Sequence, residues 1–551
     1  MSDEAHPIDV IVVGSGAAGG WVAKECAERG LTVLVLEAGR ALDPARDFPP
    51  PSDGAGSRVS ILNRALATLR GQSVQARCMS FGPLTAHLFL NDRKNPYRTA
   101  PGTRFNWYRA RQQGGRLHLW GRNALRLSDH DLKAAERDGF GDTWPVSYAD
   151  LAPWYARVEQ FLGVRGQAAG IENLPDGSYS GPHPLTSAEG ALLGQMAEKW
   201  PDRPATTCRI IHHMQGRQVP TLTAALATGR AEIRTNAIAA RVETDPATGL
   251  ATGVTYVDAV TGRQVTVSSR AVALCASTIE TVRLLHLSKG PRHRDGLGNS
   301  SGNLGRYLSD HLMVFRAGTM PQIEGMGAGH DPYDFGQQSG IYMPSFRNRS
   351  GPDGVGFLRG YSLLGSVGRL SPGWFFMAIG EVLPRADNRV TLDPTKRDAW
   401  GLPVAQISLT HGDNEHAMIA DMKATLADLS RSFGLADDLL GRESLISRLV
   451  YRFAGPMVYT ADGALIPGSS IHETGGACMG IDPARHVTDP NNRLYDAPNV
   501  WVSDSAAFPT NPFHNPGLTI MALSARAGAD IVERLGQGTA NTRPLNGAKG
   551  Q

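Results

Sequence analysis

Three separated stretches of this 551-residue chain carry side chains that could do chemistry together. In the first, Gly14, Gly16 and Gly19 follow the apolar run Asp9–Val13 and open a helical stretch, Ala18–Arg29. A second apolar strand, Leu31–Leu36, ends at Glu37. Gly14 permits a tight strand-to-helix turn, Gly16 lets backbone approach a pyrophosphate, and Gly19 lets helix pack on strand. Around Ala17 and Ala18 the helix N-terminus offers free N–H groups and a partial positive charge to that pyrophosphate. Glu37, followed by Ala38, stands where a carboxylate accepts hydrogen bonds from an adenosine ribose. An acid at this point argues against a 2′-phosphate, so FAD or NAD is expected rather than NADP.

The second stretch is His472–Gly480, HETGGACMG. The third runs from Asp504 to Pro509 and on through His514–Ala522. His472 reads as following an apolar strand end and preceding a glycine-rich loop. Imidazole titrates near neutral pH, so His472 can take a hydroxyl proton, a role worth a factor of about 10²–10⁴ in rate. Asn515 supplies a neutral amide that can donate to an oxygen without competing as a base. With a cofactor that takes a hydride from carbon, this pair would oxidise an alcohol. Alone, His472 would read as a hydrogen-bonded core histidine; the motif around it favours the base.

Together these stretches resemble the glucose–methanol–choline (GMC) family of FAD-dependent oxidoreductases. That family shows H-x-x-G-T-x-x-M-G, then an aspartate-small-small segment, then N-P or H-P before a final helix. Ala271–Leu285 resembles its strand-plus-helix segment near the nucleotide, and RYLSDH, Arg306–His311, the segment before its substrate domain. The likeness spans essentially the whole chain. It implies an enzyme acting on CH–OH donors, with His472 and Asn515 as the catalytic pair. It also implies cofactor contacts at Gly114, Gly115, Trp120, Gly121, Val242 and Ala276, and at Asp504, Ser505, Asn515, Pro516 and Thr519. The register of N-P-x-x-T makes Asn515 the active-site member, with His514 lining the pocket or facing away. A final helix from about Leu518 to Leu535 would aim its N-terminus at the flavin. Its dipole would stabilise an anionic reduced flavin by roughly 0.3–1 kcal/mol.

Departures from the family pattern are informative. Gly476 stands where Thr is usual, and Ala477-Cys478 replace a pair in which Arg is common. Some relatives link FAD through a histidine directly before the Trp of the glycine-doublet segment. Here Leu119 precedes Trp120 and His118 comes one place early, so FAD is expected to be non-covalent. The segments GGRLHLWGRNALRLSDHD and PRADNRVTLD look most like the bacterial branch acting on sugars, glycosides and aminoglycosides. Glu381 and His514 are therefore candidates for substrate contact, with Arg116, Asn388, Tyr361 and Trp374 as further pocket members. Asp310 and Glu381 could face an amino sugar. A choline-like, aryl or sterol alcohol is the alternative within the family; a non-catalytic FAD-fold binding protein is the alternative outside it. The acceptor of the electrons is oxygen, a quinone or a redox protein.

Positioning these residues takes more than one core, since 551 residues exceed what one core usually serves. The expected architecture is α/β. A discontinuous Rossmann-type FAD domain is drawn from residues 1–45, 106–127, 205–310 and 456–540. A substrate-binding domain on a mostly antiparallel sheet, with cap segments, takes 46–105, 128–204 and 311–455, and 541–551 form a tail. Ala231–Thr244 reads as one strand in a hairpin with the next, and Gly325–Gly329 as a mobile loop rather than a second nucleotide site. The net charge is +3 and the arginines are scattered, so no nucleic-acid partner is expected. The five cysteines include no C-x-x-C, so neither a redox dithiol nor a bound metal is expected. No signal segment or long apolar run is seen, so the chain reads as cytoplasmic, without membrane insertion.

Overall fold

The computed structural model describes residues 8–49, 61–212, 218–319, 333, 335–349, 351, 353–369, 373–436 and 455–540. Near the start, β1 (Val10–Val13) is wholly buried, and α1 (Ala17–Glu28) follows after a turn of three residues. Next come β2 (Val33–Leu36), β3 (Ala231–Arg234) and β4 (Ala237–Thr244). They are followed by β5 (Ala251–Asp258), β6 (Gln264–Ser268) and β7 (Ala271–Leu274). The second domain core uses β8 (Leu312–Thr319), β9 (Ile341–Met343), β10 (Tyr361–Val367) and β11 (Gly373–Gly380). Late in the chain, β12 (Val500–Val502) returns to the first sheet.

That first sheet is parallel, in the order β12-β7-β1-β2-β3. Its apolar strands carry no alternation because both faces are covered, the expected pattern for a parallel sheet. β4, β5 and β6 form a separate antiparallel sheet beside it. A third sheet is antiparallel, in the order β8-β11-β10-β9, with Thr206–Thr207 at its edge. The architecture is thus α/β with a discontinuous nucleotide-type sheet and a mostly antiparallel second sheet.

Five helices matter for the site: α1, α2 (Tyr148–Leu162), α3 (Thr278–Leu287), α4 (Asp413–Ser432) and α5 (Gly517–Ala540). Ser147 caps α2 in a capping box with Asp150, and Leu151, Tyr155 and Val158 are fully buried in the core. α4 lays Met418, Ile419, Met422, Leu426 and Leu429 on the antiparallel sheet. α1 and α5 touch where Gly528 meets Glu25, and Cys26 Sγ lies 3.7 Å from the Gly528 carbonyl.

Two sequence expectations are corrected. Ala231–Thr244 is two strands, because Asn236 adopts φ +56° and turns the chain from the parallel sheet into the antiparallel one. Asn tolerates that conformation at little cost. The final helix runs past Leu535 to Ala540. Gly325–Gly329 and the tail 541–551 lie outside the described residues. Among the described residues no helix is long and apolar enough to cross a membrane, and no cluster of His, Cys, Asp and Glu is arranged to hold a metal.

Candidate active site

The glycine turn assigns a separate task to each glycine. Gly14 sits at φ +103°, and a Cβ there would lie 2.4 Å from the Cys275 carbonyl oxygen. A Cβ on Gly19 would sit 1.8 Å from the Gly14 oxygen, so Gly19 permits the contact of α1 with β1. Gly16 differs: it caps α1 at φ −76°, and its Cβ would meet nothing closer than the Gly114 oxygen at 3.8 Å. The space beside Gly16 belongs to a cavity of about 310 Å³, within the size range of small-ligand sites.

Glu37 and Ala38 line this cavity with Gly14, Gly16, Ala17 and Ala18. The Glu37 carboxylate accepts the Ser15 N–H and hydroxyl on Oε2 and the Gly39 N–H at 2.7 Å on Oε1. Burial raises its pKa, and these donors oppose the rise. The glycine doublet is tied to the same turn, for Gly114 N–H donates to Ser15 Oγ at 3.0 Å. Beyond it, Gly115, Arg116, Leu119 and Trp120 line the cavity, and Gly517 lets the head of α5 close on the Trp120 ring. Ala276 and Asp504 complete this wall with Ser505 and Pro516. Asp504 accepts from Thr281 Oγ1 and from Ala506 N–H at 2.9 Å, and burial pushes its pKa up to about 6.

His472 lines the same cavity, next to Ile471. No strand leads to it; Ile471 is held at φ +63°, which breaks the extended backbone expected there. A β-branched residue at positive φ stores strain, so the surroundings must over-determine this loop. They do so through Asp310, which is 1% exposed. Its carboxylate accepts Gly468 N–H at 2.6 Å, His472 N–H at 3.0 Å and the Ser470 hydroxyl. Burial and the nearby Glu473 push the Asp310 pKa up to about 7. Replacing Asp310 by alanine would orphan three buried donors. An expected loss of about 2–4 kcal/mol in unfolding free energy follows, read from chemical denaturation. An unchanged midpoint would remove Asp310 as the anchor of the loop.

The His472 ring makes two contacts. Its Nδ1 lies 2.8 Å from His311 Nδ1, and its Nε2 lies 3.2 Å from Asn515 Nδ2. Burial, then His311 and Arg116, lower its pKa well below the usual imidazole value, so the ring is neutral at pH 7 and able to accept a proton. Arg116 donates to Glu473 Oε2 and Ser277 Oγ, both at 2.6 Å, and lines the cavity.

Other sequence-derived candidates lie elsewhere. His514 is 1% exposed, its Nδ1 is 2.6 Å from the Tyr342 hydroxyl and its Nε2 is 3.3 Å from the Asn173 carbonyl, away from the cavity lining. Thr519 Oγ1 is engaged by the Tyr155 hydroxyl at 2.9 Å. Val242 points into the core; β4 meets the cavity instead through Ala237, Ile238 and Ala239. Gly121 is also outside the lining. Glu381 pairs with Arg359 at 2.9 Å, Tyr361 bonds to Thr425 and Asp421, Trp374 donates to the Ala436 carbonyl, and Asn388 accepts from Thr410 N–H. None of these four lines the cavity. Sequence reasoning missed Trp107, Tyr108 and Arg111, which do. They follow an irregular stretch with no periodicity to mark a face.

Comparison with known proteins places the chain in a family. Two family models, both described as GMC oxidoreductase, match residues 9–313 and 384–524. A 2-methyl-1,2-propanediol dehydrogenase from Mycolicibacterium austroafricanum is 27% identical, over 97% of this chain and 97% of its own. The fructose dehydrogenase large subunit of Gluconobacter japonicus is 25% identical, over 98% of this chain and 100% of its own. Paromamine 6′-oxidase from Streptomyces fradiae is 27% identical, over 97% of this chain and 93% of its own.

Proposed function

Since the chain belongs to the GMC oxidoreductase family and so oxidises alcohol groups, we propose that it oxidises a hydroxyl of a sugar, glycoside or amino sugar to the carbonyl, using non-covalent FAD and His472 as base. The observation that carries the reaction is the place of His472 in the cavity lining, with its Nε2 3.2 Å from the Asn515 amide nitrogen.

FAD fits the residues present. A Cβ on Gly16 would enter the cavity, whose lining includes both Glu37 and His472. Gly14, Gly16 and the first turn of α1 would hold the pyrophosphate, and Glu37 the ribose. When bound, FAD supplies the hydride acceptor. His472 Nε2 takes the hydroxyl proton, and Asn515 Nδ2 orients the same oxygen. Burial, then His311 and the Arg116 guanidinium, hold the base neutral before substrate arrives. Non-covalent attachment is supported by Leu119, whose side chain is buried at the cavity wall, and by His118, whose Nε2 is committed to the Gln113 carbonyl at 2.9 Å.

Two relatives bear on the substrate, being named for fructose and for paromamine. The third, named for a small diol, supports a non-sugar alcohol as the second reading. Among the sequence candidates for sugar contact, Arg116 lines the cavity while Glu381 does not. The test is anaerobic bleaching of the flavin by panels of sugars, amino sugars and simple diols. A sugar is expected to bleach it fastest; bleaching by diols alone would overturn the substrate assignment. Acid precipitation is expected to release the yellow colour into solution. Colour that stays with the precipitate would refute non-covalent binding. Reoxidation of the bleached protein by air, a quinone or a redox protein identifies the acceptor.

A further inference from the structure

RYLSDH leads into β8, and before it does so it pairs with the His472 loop. Ser309 and Thr474 exchange two backbone hydrogen bonds, each of 2.9 Å. That pairing sets His311 edge-on against His472, with ring centroids 4.9 Å apart and planes at 83°. His311 is 4% exposed, and its Nε2 lies 2.8 Å from the Pro512 carbonyl oxygen.

The direction of every proton in this chain follows from its end. A carbonyl oxygen only accepts, so His311 Nε2 carries the hydrogen. A second proton on the His311 ring would bury a cation with no carboxylate on it. Its Nδ1 is therefore a bare lone pair. Two bare nitrogens would repel at 2.8 Å, so His472 Nδ1 is the donor. His472 is thereby left with a bare Nε2, the atom beside Asn515 Nδ2.

We propose that His311 is a positioning residue for this reaction: its Nδ1 lone pair holds His472 in the Nδ1–H tautomer and so reserves Nε2 as the proton acceptor. The proposal rests on His472 being the base. When the substrate O–H bond breaks and the Nε2–H bond forms, His472 becomes a cation. Its Nδ1–H bond to His311 then becomes charge-assisted and shorter, which favours the proton on His472. A neutral imidazole does this without placing a buried negative charge beside the base. The charged and titratable groups around the pair are Arg116 and Glu473, which pair with each other, Asp310, which accepts the His472 backbone N–H, and His514, which bears on His311.

Leu and Asn have nearly the same shape, but only Asn keeps an acceptor near the position of His311 Nδ1. The test compares His311→Leu with His311→Asn in the oxidised holoenzyme. Histidine ring nitrogens are labelled and followed by NMR, with the His472 signals assigned by their loss in His472→Ala. Wild type and His311→Asn are expected to show His472 protonated on Nδ1 and bare on Nε2. His311→Leu is expected to add a population protonated on Nε2, and to lower the flavin reduction rate about 10–100-fold with KM little changed. His311→Asn is expected to recover most of that rate. A His472 that stays wholly Nδ1-protonated in His311→Leu overturns the proposal. Equal rate losses in the two variants overturn it as well. If His311→Leu does not fold, the wild-type spectrum decides, since a His472 protonated on Nε2 would mean that its Nδ1 is not the donor to His311. Failure of the base assignment reads differently: His472→Ala would then reduce its flavin normally, whatever tautomer the resting enzyme shows.

Discussion

Replacing His472 by alanine is expected to slow flavin reduction by substrate at least about 100-fold while leaving FAD bound. In the proposed mechanism the histidine acts on the hydroxyl, while the glycine turn, Glu37 and Asp504, which line the same cavity, remain to hold the cofactor. Asn515→Ala removes one neutral hydrogen bond to the substrate oxygen, a loss of roughly 0.5–1.5 kcal/mol, so its rate should fall about 2–12-fold. His514→Ala is expected to cost stability rather than rate, because that ring bridges Tyr342 and the Asn173 carbonyl in the core. Rapid-mixing measurements of flavin bleaching separate the three. A dead His514→Ala beside a near-normal Asn515→Ala would show the pair to be one residue out of register. The pH profile should agree. The base works only when neutral, and burial, His311 and Arg116 depress its pKa well below 6.5. Wild-type reduction should therefore hold its rate as pH falls through 6.5 and decline only at more acid pH. A decline centred at or above 6.5 would mean that these three influences do not act on the base.

The second large effect is expected at Gly16. Its backbone conformation suits any L-residue, and the space around a new Cβ is open in the protein alone. Gly16→Val should therefore fold as well as flavin-free wild type, yet fill the space a pyrophosphate needs. FAD affinity should drop at least about 100-fold, equivalent to about 2.7 kcal/mol. Gly19→Val should instead fail to fold, since its side chain would run into the Gly14 carbonyl. Flavin titration of the purified apoproteins, with thermal unfolding as control, distinguishes the cases. A Gly16→Val protein that purifies with full flavin would remove this turn from the cofactor site. Glu37→Ala combines two effects, a lost ribose contact and a loosened turn, because Glu37 also holds Ser15 and Gly39.

Much of the site was legible in the chain because its determinants are local. The strand–turn–helix around Gly14, Gly16 and Gly19 follows from backbone sterics within a few residues, and α5 begins at Gly517, beside the Asn515-Pro516 pair that marked it. Likewise the apolar runs of β1 and β2 marked the strands on either side of that turn, and both are wholly buried in the parallel sheet. Only the tertiary structure decided which polar side chain faces which. Glu381 looked available for substrate and is spent on Arg359. Arg116 and Glu473, 357 positions apart, meet near His472. His311 stood in a recognisable segment, but nothing near it in sequence shows that it touches His472, 161 positions later. A hydrogen bond is directional and short-ranged, so its partner is set by how strands pair and loops close. Here Ser309 against Thr474, and Asp310 holding the loop at a strained Ile471, bring the His472 and His311 rings together.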